Sequence, residues 1–162
     1  MAEAWLNGKL DGFTPVLMPS AHALRQAIVD LKKLHLSDEE LIAKPNNAPS
    51  AAFHLRHIAG SVDRLLTYAN GENLSKKQFE FLKEETAESS DSSSNELFNQ
   101  AVSAVENALL FCKNVSPDIL FEERFVGRKK LQTNVFGLLF HIAEHTARHV
   151  GQTVTTARIV RK

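Results

Sequence analysis

Seven histidines stand in this 162-residue sequence, and five of them fall in two short stretches: His54 and His57, then His141, His145 and His149. Imidazole changes charge near neutral pH and is the commonest protein metal ligand, so these five residues frame what chemistry the chain can do. In a helix successive residues advance by about 100°, and positions four apart drift by only about 40°. His141, His145 and His149 would thus share one face. Cβ atoms at i and i+4 lie about 5–6 Å apart, which lets two imidazoles converge on one ion about 2.0–2.1 Å from each nitrogen. The competing reading is a pair of ordinary core histidines bonded to carbonyls or hydroxyls, because an unpaired ring nitrogen in a dry interior costs about 1–3 kcal/mol. Histidines on a second helix favour the metal, since bundle metal sites are built from facing helices. His54 and His57 supply them.

The elements that would carry these residues are read from helical periodicity, which dominates the chain. Leu24, Ala27, Ile28, Leu31 and Leu34 repeat at threes and fours after Pro19, predicting a helix to about His35. Ser37-x-x-Glu40 is a capping box for a short turn of helix ending before Pro45. A long helix is predicted from about Ser50 to Asn70, with Leu55, Ile58, Val62, Leu65, Leu66 and Ala69 as its stripe and Asn70-Gly71 as its stop. The polar, serine-rich stretch from about Thr86 to Asn95 reads as a surface connection between helices. Ser93-x-x-Glu96 then opens a helix to about Lys113, with Leu97, Ala101, Ala104, Ala108 and Phe111 on its stripe. Residues 115–132 show no helical stripe and read as an extended or irregular crossover, with no hairpin signal. Thr133 or Asn134 caps a last helix to about Arg158. Four long amphipathic helices pack most simply as an all-α four-helix bundle with crossover connections, a single domain over residues 1–162.

On the last helix, His145 and His149 point with Leu138, Leu139 and Ile142 at the core, and His141 sits at the edge of that stripe. The earlier helix leaves a choice open. His54 lies about 65° and His57 about 125° from the centre of its stripe, so the wheel mildly prefers His54.

The segments Phe53-His54-Leu55-Arg56-His57-Ile58-Ala59-Gly60 and Glu144-His145-Thr146-Ala147-Arg148-His149-Val150-Gly151-Gln152 resemble the DinB/YfiT-like superfamily of metal-binding four-helix bundles. That DinB is distinct from the translesion polymerase of the same name. In the family a histidine before an apolar residue and alanine joins an H-x-x-x-H pair on the last helix to form a three-histidine metal site. The resemblance thus implies His57, His145 and His149 as ligands. The chain departs from the family pattern at Val150, where arginine is frequent, and at Phe53, where tryptophan is frequent. The resemblance further implies a metal-dependent transferase or isomerase that uses a low-molecular-weight thiol on an unidentified small-molecule substrate. The alternative is a non-catalytic, metal-binding stress-response protein, since the family's name refers to induction by DNA damage. A cavity above the ion would favour catalysis, whereas a carboxylate or other side chain in the open position would favour a structural role.

Three neutral imidazoles leave the ion's charge intact and a coordination position open. Zn or Ni suit such ligands best, with Fe and Mn as further candidates. His54 and His141 are candidate pocket residues, and Gln152, one turn beyond His149, is a candidate hydrogen-bond partner outside the ligand set. Gly151 either admits another backbone beside the site or is a tolerated helix glycine. Cys112, beside Phe111 on an apolar helix, reads as a buried inert thiol.

Bulk composition narrows the classes. A 43% hydrophobic and 23% charged sequence with no apolar run near the ~20 residues that a bilayer needs reads as a globular protein without a membrane span. Nineteen basic residues balance nineteen acidic ones, so the basic surplus expected of a nucleic-acid binder is missing. The basic runs Arg128-Lys129-Lys130 and Arg158-Ile159-Val160-Arg161-Lys162 read as solvated charge. One cysteine permits no internal disulfide, and no signal-peptide core stands at the N-terminus, so a cytoplasmic location is expected. Bundles of this kind pair through a helix face, making a homodimer an expectation, though no surplus apolar stripe marks one.

Overall fold

The computed structural model describes residues 3–85 and 93–161. In chain order its regular elements are α1 (Met18–Lys33), α2 (Asp38–Ile42), α3 (Ala51–Ala69), α4 (Lys76–Glu84), α5 (Ser94–Asn114), the strands β1 (Glu123–Val126) and β2 (Leu131–Asn134), and α6 (Val135–Val160). Short 3-10 turns cover Ala4–Asn7, Pro15–Leu17, Pro45–Asn47 and Pro117–Ile119.

The starts of these helices follow local chemistry. Ser37, Ser75 and Ser93 each accept a hydrogen bond from the third helical N–H, and the side chains of Glu40, Gln78 and Glu96 accept one from the cap's own N–H, so three reciprocal capping boxes occur. Ser50 caps α3 and Asn134 caps α6 through their side chains. Asn70 and Gly71, with Gly71 at φ 78°, end α3 as expected. The serine-rich connection lies mostly outside the described residues, which resume at Ser93.

Four helices form the bundle. α3 packs against α5 and α6, and α1 packs against the same two, so α1 faces α3 and α5 faces α6 across the diagonals. The steps from α1 to α3 and from α5 to α6 are accordingly the crossovers. The core is drawn largely from the expected stripes: Leu24 and Leu31, Leu55, Ile58 and Val62, Leu97, Leu139 and Ile142 are all at most 1% exposed, and Val105, outside the expected stripe of its helix, joins them. Among the described residues no helix is long and apolar enough to cross a membrane.

Two elements depart from the sequence expectation. α4 has only nine residues, too short to be stable by itself, and it exists by packing Phe81 and Glu85 against α3. Its Ser75-x-x-Gln78 box was the local signal. The predicted irregular crossover contains an antiparallel hairpin that pairs Glu123 with Asn134 and Val126 with Leu131 around the turn 127–130. With four residues per strand and no two-residue Asn-Gly type turn, it lacks the short-range hairpin pattern.

Candidate metal centre

α3 and α6 cross so that their histidines meet. Ring nitrogens of His57, His145 and His149 all lie within 4.8 Å of one another, and the ring centroids are 4.5–5.0 Å apart. Nε2 of His57 stands 3.3 Å from Nε2 of His145. Two nitrogens bound tetrahedrally to one ion at about 2.0–2.1 Å would be separated by about 3.3–3.4 Å, so the His57–His145 pair has the spacing of two ligands on a shared divalent ion. The three histidines are compatible with metal binding.

The trio contains His57 and not His54. The wheel was right that His54 is the more inward of the two, at 4% exposure, but its Nδ1 approaches Nδ1 of His149 at 3.0 Å, beside the cluster. Depending on tautomer, one of these nitrogens donates to the other, which fixes the His149 ring. His141 lies at the edge of the stripe, its side chain 48% exposed, with Nδ1 2.7 Å from Oε1 of Glu144. Arg148 also donates to Glu144, and this contact chiefly holds the Glu144 carboxyl below the usual carboxylate range. That surface trio points away from the core. Gln152 is exposed, and among the described residues no hydrogen bond joins it to a ring.

Electrostatically, two members of the cluster are kept neutral. Burial, followed by the neighbouring His57, pulls His145 down to about 4 and His149 to about 3. The same two causes lower His54. Unprotonated imidazoles have a lone pair free for an ion at neutral pH.

The sequence reading missed the group that holds His57. Glu85, 3% exposed, follows directly after α4 and places Oε2 3.0 Å from Nδ1 of His57. Arg64, 8% exposed, donates through Nη1 to Oε1 at 2.6 Å and through Nη2 to Oε2 at 3.3 Å, so the buried carboxylate is paired on both sides. Gly60 makes the room: a Cβ there would fall 2.0 Å from Oε1 of Glu85. Phe53 stacks on the other side of His57, with ring centroids 5.6 Å apart and planes 6° from parallel. The available signal was positional, since Gly60 and Arg64 follow His57 at three and seven residues, on the same helix face.

A cavity of about 480 Å³ opens against His57, His141 and His145, with Tyr68 on its wall. Among the described residues no other histidine, cysteine or acid joins the three-residue cluster, and the Glu85 carboxylate faces the opposite nitrogen of His57. Gly151 is exposed with nothing within 4 Å of a Cβ built there, so the close-approach reading of this glycine is overturned. Cys112 is 1% exposed, and burial pushes its thiol up to about 12, which leaves it inert as expected.

A search of curated proteins finds no match to this chain. A family model described as the DinB superfamily matches residues 21–153, a span that includes all five clustered histidines.

Proposed function

The chain belongs to the DinB superfamily, and from that premise we propose that it is a metal-dependent enzyme transferring a low-molecular-weight thiol to an electrophile, or isomerising a substrate with the thiol's help. The ligands are His57, His145 and His149, holding one divalent ion, Zn or Ni by ligand type. An ion there would lower the pKa of a bound water or thiol and polarise a substrate oxygen. The observation that carries the reading is the 3.3 Å separation of the His57 and His145 Nε2 atoms beside an open cavity. Glu85 supports it by accepting from Nδ1–H of His57, which selects the tautomer with its lone pair on Nε2. The cavity against the rings favours catalysis over a purely structural ion.

Elemental analysis of the purified protein and its His57→Ala, His145→Ala and His54→Ala variants tests the ligand set. About one ion per chain is expected in the parent and in His54→Ala, and none in the other two. Loss in His54→Ala with retention in His57→Ala would overturn it. Catalysis is read by following the alkylation of free cysteine by monochlorobimane. Acceleration that disappears in His145→Ala supports the transferase. Stoichiometric metal without acceleration by the protein, in this or an isomerase screen, returns the chain to the stress-response alternative.

A further inference from the structure

The cavity beside the histidines has a polarity that metal binding alone does not demand. Leu65, Leu74, Phe79, Leu82 and Val126 make its walls apolar. Its charged lining is Arg64, Lys83 and Arg128, and among the described residues no aspartate or glutamate lines it. Arg64 is engaged by Glu85 behind the wall, so the exposed Arg128 sets the sign of the field at the open end. Arg128 begins the basic run Arg128-Lys129-Lys130, which the sequence presents as ordinary solvated charge. The fold instead puts its first residue at the mouth of this cavity.

That placement is built rather than incidental. Nε of Arg124 donates to the carbonyl of Ala69 at 2.8 Å, tying β1 to the C-terminal end of α3. The turn 127–130 is closed by Lys130 N–H donating to the Gly127 carbonyl at 3.1 Å, with Gly127 at φ 70° and Lys130 at φ 47°. The hairpin's acidic residues lie at its other end, where Glu123 pairs in register with Asn134. Arg128 at the tip thus lines the cavity while the acidic base lies at the hairpin's far end.

We infer that the substrate taken by this cavity is a small organic anion with an apolar body. As a statement about substrate it rests on the metal centre proposed above, and it assigns Arg128 a role in choosing between substrates. About 480 Å³ is within the usual range for a small-molecule site, and apolar walls with a few convergent polar groups are the usual means of holding one. Low-dielectric walls around charges of one sign concentrate their field on an entering ion of the opposite sign. An anion is drawn by Arg128 and any divalent ion at the floor together. A cation meets like charge from both. The apolar part is received by Phe79 and Leu82, which are 39% and 41% exposed and would lose water on contact.

The test is calorimetric binding of octanoate, octanol and octylammonium, equal in chain length and different in charge, to the zinc-loaded and the metal-free protein. Octanoate should bind the zinc-loaded protein about tenfold or more tightly than either of the others, and Arg128→Glu should weaken it about tenfold. Helicity and bound zinc should be unchanged in that variant, because Arg128 is exposed on the turn. The metal-free protein should retain a reduced preference for octanoate. Equal binding of the three probes, no binding of octanoate, or indifference to Arg128→Glu overturns the inference. Failure of the protein to take up zinc would instead sink the metal-centre reading, while the ranking of the probes in the metal-free protein still decides the substrate charge.

Discussion

Nδ1 of His57 and Oε2 of Glu85 lie 3.0 Å apart, although one belongs to α3 and the other follows α4. The contact turns Nε2 of His57 toward His145, and the carboxylate is held in turn by Arg64. A carboxylate on the far nitrogen orients an imidazole and raises its strength as a ligand. Glu85→Gln should therefore weaken zinc binding by about 10- to 100-fold. Competition with a chelating indicator reads this directly, and unchanged affinity would show that Glu85 serves the fold alone.

Gly60→Ala should destabilise the protein by about 1–3 kcal/mol, the usual cost of overpacking. The added methyl would fall 2.0 Å from Oε1 of Glu85, 2.5 Å from Cε1 of Phe81 and 2.7 Å from Nη1 of Arg64. Relief requires the buried ion pair to shift, so zinc affinity should fall in the same variant. Urea denaturation and metal titration of one preparation check both effects, and an alanine accommodated without loss of stability contradicts the packing described.

Gly151→Ala should act with the opposite sign. This glycine is inside α6, exposed, with open space around its Cβ position. Alanine there should stabilise the protein by about 1 kcal/mol, the difference in helix propensity. Zinc stoichiometry should be unchanged. A destabilised variant in thermal denaturation would reveal a contact on this face that the monomer does not show.

The metal-free protein should lose stability as pH falls below about 6.5. His145 and His149 have that ordinary value in the unfolded chain and are lowered to about 4 and about 3 in the fold, first by burial and then by the neighbouring His57. Between these limits the unfolded chain binds more protons than the folded one, so stability rises with pH across the window and is lost on acidification. Above about 6.5 both states are neutral at these positions and the dependence from them vanishes. Urea midpoints measured from about pH 8 down to about pH 5 check the sign, and replacing both residues with glutamine should flatten the slope.

Much of this molecule was legible locally. The helix boundaries followed from Ser37, Ser50, Ser93 and Asn134 as caps, and the core followed from apolar residues at threes and fours, because capping and helical periodicity act within one or two turns. The pairing of His145 with His149 is equally local, a consequence of their four-residue spacing. Everything requiring two distant segments was decided by tertiary packing. Which histidine of α3 completes the trio depended on how α3 lies against α6, and the wheel, which knows only the axis of one helix, leaned toward His54. Glu85 appeared as one more acid in a polar stretch, and only the docking of α4 over Gly60 made it a buried partner of Arg64 and His57. The hairpin was illegible because four-residue strands derive their stability from the bundle they rest on, here through Arg124 and the end of α3.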